Sequence, residues 1–174
     1  MGKFLSILIL ASALFAGVGI YYLQVYHFYE EVAPVGEGDV QLTSLSSGAP
    51  EPVLHEAFSA IDANSSPIRY RACFTTPLSQ ALLTETYAPY EGAVPLEAPG
   101  WFDCFDADMI GAALEDGTAL AFLGEENIKY GIDRIVAISA DGSGFVWHQI
   151  NHCGEKVFDG EPVPEDCPAP PQGS

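Results

Sequence analysis

The chain has 174 residues, 24 acidic against six basic, and a formal net charge of −18. A surface of that sign is repelled by nucleic acid and by anionic lipid headgroups, which argues against both as ligands. Past its apolar start about 140 residues remain, enough for one domain that buries roughly two-thirds of its unfolded-chain surface.

Residues Phe4 to Tyr26 carry no charged side chain. A helix rises about 1.5 Å per residue, so this run can cross a hydrocarbon core roughly 30 Å thick. A cleaved signal peptide is the rival reading, with Lys3 as its basic start and Ala11-Ser12-Ala13 as its cleavage triplet. Cleavage after Ala13 would leave an apolar core of only about seven residues, and the new terminus would open on another apolar stretch. Length therefore favours a signal-anchor over residues 1–30. Tyr21, Tyr22, Tyr26, Phe28 and Tyr29 crowd its exit, where amphipathic rings settle at headgroup level. Lys3 precedes the span and no Lys or Arg follows before Arg69. The excess of positive charge on the inner side then puts the N-terminus in the cytoplasm and the body outside it. A myristoylation pattern at Gly2 is redundant beside a spanning helix. Ala13 and Gly17, like Ser12 and Ala16, are small residues four apart that would admit a second helix.

All four cysteines, Cys73, Cys104, Cys153 and Cys167, follow the span. An even count on an oxidising side predicts two disulfides, with three connectivities open. The lack of a C-x-x-C pair weakens zinc and thiol-redox readings.

In chain order, residues 31–39 read as a linker, rich in acid and glycine around Pro34. Strands are expected at Val40–Leu45, Ile68–Phe74, Trp101–Phe105, Ala119–Leu123, Ile132–Ser139 and Phe145–Ile150. Residues Val53–Ala60 are ambiguous and are assigned to a helix. A second helix is expected at Pro77–Tyr87, capped by Thr76 with proline in its first position. A third spans Ala107–Glu115, capped by Asp106 and closed by Gly117. Ser139-Ala140-Asp141-Gly142-Ser143-Gly144 makes a hairpin turn between the last two strands. Residues 162–174 are a proline-rich tail without regular structure, tethered at Cys167. The domain proper is then 40–161, an α+β fold with a small mixed or antiparallel sheet and two or three short helices.

An internal echo bears on the cysteines. Cys73-Phe74 and Cys104-Phe105 each precede a capped helix with alanine and leucine at matching positions. Were both to end neighbouring strands about 4.8 Å apart, a Cys73–Cys104 bridge would be geometrically natural. Cys153 and Cys167 would then close the C-terminal segment onto the body.

The segments YYLQVYHFYEEV, SSPIRYRACFTTPLS, APGWFDCFDAD and GIDRIVAISADGSGFVWHQINHCGEKVFDG resemble an uncharacterised family of unknown function. Its members are single-pass membrane proteins of Rhodobacterales-type alphaproteobacteria. The resemblance implies a Gram-negative inner membrane and a periplasmic body, and it brings no catalytic residues.

Candidate chemistry is sparse. His148 and His152 are four apart, but in a strand about 13 Å would separate them, too far for one metal. Asp106, Asp108 and Gly111 match part of a calcium loop whose fifth and twelfth positions, Ile110 and Gly117, offer no side-chain oxygen. No metal or cofactor is expected. Arg69 and Arg71 alternate along an expected strand and would share a face with Cys73. Paired guanidiniums suit a carboxylate or phosphate, so they form the candidate ligand site. No nucleophile elbow, P-loop or dinucleotide fingerprint occurs, so a non-enzyme is favoured. The expectation is a membrane-anchored periplasmic binding or accessory protein acting through a protein partner. The alternative is a sensor or carrier for a small anion at the Arg69/Arg71 face.

Overall fold

In a computed structural model that describes residues 2–171, the apolar start forms one helix, α1, over Gly2–Tyr22. A π-helical turn, Leu23–His27, continues it. The 26 residues from Gly2 to His27 are long and apolar enough to cross a membrane. The hydroxyls of Ser6 and Ser12 donate back to the carbonyls of Gly2 and Ile9, so neither leaves an unpaired polar group on the helix surface.

The first strand follows after two residues. Strand β1, Glu30–Val32, pairs antiparallel with β4, Glu56–Asp62, matching Glu30 to Asp62 and Val32 to Ala60. The expected linker at 31–39 is thereby corrected. Its start belongs to the sheet, and its remainder folds around Asp39, whose carboxylate accepts the backbone N–H groups of Val35 and Gly36. A short acidic strand has little propensity of its own; the edge of β4 supplies what the sequence does not.

Six antiparallel strands form the sheet in the order β1-β4-β5-β8-β7-β6. The other four members are β5 (Arg71–Thr75), β6 (Ala119–Lys129), β7 (Ile132–Ser139) and β8 (Ser143–Ile150). A separate hairpin pairs β2, Gln41–Thr43, with β3, Pro50–Pro52. Three helices complete the body: α2 (Gln80–Thr86), α3 (Ala107–Asp116) and α4 (His152–Phe158). The central strands are buried on both faces, which is why β7 reads as a nearly continuous apolar run rather than an alternation. On one face Val136, Val146, Ala72 and Phe74 pack with Leu42 of the hairpin and Leu83 of α2. On the other, Ile135, Phe145 and Trp147 pack with Ile110 of α3 and with Phe102 and Phe105 before it. The Phe74 ring lies flat over Gly144, its cross-strand partner, where any Cβ would collide with it.

Several expected elements hold. Strand β7 has its expected limits, β8 begins two residues early, and the turn between them, at residues 140–142, falls inside the expected Ser139–Gly144. Asp106 caps α3 through the N–H of Met109, and Gly117, at φ 78°, closes it. Others need correction. Val53–Ala60 is extended rather than helical, contributing most of β4 with a bulge between Glu56 and Ser59. Trp101–Phe105 is a turn against the helical exit, not a strand. Thr76 does not cap α2: its hydroxyl donates to Leu54 and accepts from Leu78, and Ser79 caps instead. Strand β6 runs six residues beyond Leu123, and α4 was not expected. The tail lacks regular structure through residue 171 as expected, and residues 172–174 lie outside the described part.

Both expected disulfides form, Cys73–Cys104 and Cys153–Cys167. The first joins β5 to the loop before α3, so it staples that loop over the second core face. The echo of two equivalent strands fails, because only Cys73 is in a strand. The second disulfide ties the tail to α4.

Candidate functional site

The two arginines of the expected fork do not share a strand face. Strand β5 starts at Arg71, and Arg69 lies in the loop before it, yet both line one open cavity of about 520 Å³ at the helical exit, with Gln24, Tyr29 and Glu97. Arg71 is 3% exposed and donates to four backbone carbonyls: Nε to Leu96, Nη1 to Ile68 and Tyr70, and Nη2 to Glu97. Four of the five guanidinium N–H groups are thus committed to protein. Burial lowers its pKa to about 10, which still leaves it charged. Arg71 is therefore a rivet between β5 and the loop at 96–97. Arg69 instead donates to Gln24 Oε1 at 3.3 Å and lies over the Tyr29 ring. Beside it, the indole N–H of Trp101 donates to the Val25 carbonyl at 2.7 Å. These two contacts clamp the end of the apolar helix to the body.

A different arginine is held ready. The register pairs Arg134 of β7 with His148 of β8, and Tyr70 continues β5 beside them. His148 is 7% exposed, and its Nδ1 lies 2.8 Å from the Pro67 carbonyl. A carbonyl only accepts, so Nδ1 carries the proton and Nε2 is free to accept from Arg134 Nε at 3.2 Å. Burial, reinforced by the Arg134 charge, lowers the His148 pKa to about 4 despite the Pro67 bond. The ring thus stays neutral near pH 7. It stacks on Tyr70 at 4.8 Å, and the Arg134 guanidinium also lies 4.8 Å over Tyr70.

Extending the pairing outward from these residues gives one row across the sheet: Glu30, Asp62, Tyr70, His148, Arg134 and, at an irregularity in β6, Glu125. Glu30, Asp62, His148 and Arg134, together with Lys129, line a cavity of about 500 Å³. Within the cavity the carboxylates come from β1 and β4 and the cations from β6 and β7. Among the described residues no carboxylate comes within ion-pair distance of Arg134 or Lys129. Sequence reasoning missed this site, although one signal was available. Centring the legible β7–β8 hairpin on its turn places Arg134 opposite His148.

Nearby polar groups are consumed structurally. Asp133 is buried and accepts from the Asn127 N–H, the Asn151 amide and the Tyr90 hydroxyl. Burial and that carboxylate raise the Tyr90 pKa. Gly131, at φ 76°, meets Gly154 so closely that an added Cβ would lie 2.5 Å from the Gly154 Cα. Asn151 caps α4 at this crossing. His148 and His152 fall on different elements, β8 and α4. His152 approaches Cys153 and Cys167, whose sulfurs are joined to each other and are not available as thiolates. Elsewhere a groove of about 480 Å³ runs between α3 and residues 89–95, with Val94, Pro95, Leu114 and Leu120 among its walls.

The fold and these sites define a small disulfide-bonded α+β body carried behind one long apolar helix. A family-level match covers residues 40–168, and the chain belongs to that family, described as a family of unknown function (DUF6446). No curated protein and no solved structure gives a significant match to the chain.

Proposed function

We propose that the protein is a membrane-anchored accessory protein of a Gram-negative inner membrane, with its body in the periplasm, acting by binding a protein partner. The observation that carries this reading is the clamp at the helical exit. Trp101 and Arg69 grip Val25 and Gln24, and β1 starts two residues beyond Phe28. A body joined without slack cannot range away from the bilayer, and it offers a fixed face to whatever lies in or beside it. Two disulfides fit an oxidising compartment. Lys3, the only basic residue before the span, favours a cytoplasmic N-terminus. The groove beside α3 gives the body an apolar surface for a partner.

The full chain with a photo-crosslinking residue at Gly17 or at Val94 is expected to give discrete protein adducts in cells. It is also expected to keep that partner through gentle detergent extraction. A chain that forms no adduct at either position and runs alone in detergent overturns the reading. A C-terminal reporter that folds only outside the cytoplasm is expected to be active.

A further inference from the structure

The cavity beneath β1 is lined by two cations, Lys129 and Arg134, and three carboxylates, Glu30, Glu31 and Asp62, with no ion pair between the two sets among the described residues. Arg134 is fixed at one edge: its Nε is spent on His148 Nε2, and its flat face rests on Tyr70. His148 is itself held by the Pro67 carbonyl, so the arginine cannot swing without breaking a buried chain of contacts. Among the described residues neither terminal nitrogen of Arg134 has an acceptor, in a body whose carboxylates far outnumber its cations. Lys129, exposed at the end of β6, adds a second positive charge to the same cavity. Glu30 and Asp62, paired across β1 and β4, form the opposite wall.

Opposite charges that share a cavity normally close on one another unless the backbone holds them apart. Here they belong to different strands of one sheet, with Tyr70 and His148 between them, so the register sets the gap. Two guanidinium nitrogens in a plane bind a tetrahedral or planar oxyanion through paired hydrogen bonds. The carboxylate wall would repel a lone oxyanion, and it complements an ammonium.

We infer that this cavity binds a zwitterionic ethanolamine phosphate group, its phosphate on Arg134 and Lys129 and its ammonium between Glu30 and Asp62. The chemistry rests on the cavity alone. Whether the group comes from a free metabolite or from a phospholipid depends on the membrane reading above. Glu30 lies two residues past Phe28, at most about 7 Å of extended chain, so in a bilayer the cavity would open at headgroup depth. On that reading the lipid is the source.

The test uses the full chain in detergent micelles, titrated calorimetrically with O-phosphoethanolamine and with inorganic phosphate. Phosphoethanolamine is expected to bind at least tenfold more tightly than phosphate. Lys129→Gln and Arg134→Gln are each expected to weaken it at least tenfold, and Glu30→Gln to erase the preference over phosphate. Lys129 is exposed and spends no side-chain hydrogen bond among the described residues, so its variant reports on the site even if the Arg134 variant fails to fold. Equal binding of the two probes, no binding at millimolar concentration, or indifference to Lys129→Gln overturns the site. Native mass spectrometry from nanodiscs containing phosphatidylethanolamine and phosphatidylglycerol then separates the sources. Selective retention of phosphatidylethanolamine by the wild type and its loss in Lys129→Gln support the lipid. Binding of the soluble probe with no lipid retained keeps the site and overturns the lipid source. Partner crosslinking at Val94 is read separately, so the site and the accessory role fail independently.

Discussion

The two ends of the sheet are built on different principles. At the end where α1 arrives lie every arginine and lysine of the body: Arg69, Arg71, Lys129, Arg134 and Lys156. Polar side chains there reach across long sequence distances, from Arg71 to Leu96 and Glu97, from Tyr90 to Asp133, and from His148 to Pro67. At the far end lie α2 and the turn at 140–142, with Glu51, Glu56, Glu85, Asp116 and Asp141 and no basic residue. More of its side-chain bonds are local, Ser79 to Leu82, Asp116 to Thr118 and Asp141 to Ser143, and the longer ones include Thr76 to Leu54 and Gln80 to Thr118 and Ile138. Long-range polar bonds in a dry interior couple many segments, so one substitution disturbs all of them. Local caps stabilise only their own turn.

That contrast can be broken by three substitutions of decreasing effect. Arg71→Met keeps the volume and removes every donor, leaving four backbone carbonyls to find other partners. A loss of about 4 kcal/mol is expected, read as a large drop in melting temperature in detergent; a drop no larger than that of a surface variant would deny the end its coupling. The second test is pH. The unfolded chain protonates His148 below its ordinary pKa of 6.5, while burial holds the folded group to about 4. The unfolded state binds more protons in that window. The contribution of a neutral His148 is therefore complete above pH 6.5 and is lost as pH falls towards 4. Between pH 7 and pH 5 the loss is on the order of 2 kcal/mol. His148→Gln should melt with a flatter pH dependence over that range, and an unchanged slope would assign the acid sensitivity elsewhere. The smallest effect belongs to the far end. Ser79→Ala removes one cap and should cost about 0.5–1 kcal/mol with the rest of the protein unmoved. Hydrogen exchange confined to α2 would show this, and exchange spreading to β7 would contradict it.

The same contrast governs what the sequence disclosed. Asp106, Gly117 and the Ser139–Gly144 turn act within a few residues of themselves, so their elements were legible. The apolar runs of β7 and β8 were legible for the same reason. Residues Glu56–Asp62 carry glutamate and alanines that suit a helix, and only pairing with β1 and β5, with Ala57 at φ 52°, makes them a strand. The Arg69/Arg71 alternation was read as part of a strand, whereas Pro67 and the loop before β5 delay the strand to Arg71; both arginines still line one cavity. Arg134 and His148 each looked solitary. Only the register of the hairpin joins them, and only Pro67, 81 residues from His148, fixes the tautomer that makes the imidazole an acceptor.

The short passage from α1 into β1 also sets a rotational phase. An α-helix turns about 100° per residue, and only Phe28 and Tyr29 separate the last helical turn from the sheet. The azimuth at which Ala13 and Gly17 point is therefore indexed to the sheet, as a key's teeth are to its bow. One residue inserted between Tyr22 and Glu30 would rotate that stripe by about 100° against the body. The same insertion among residues 34–38 would leave the phase untouched.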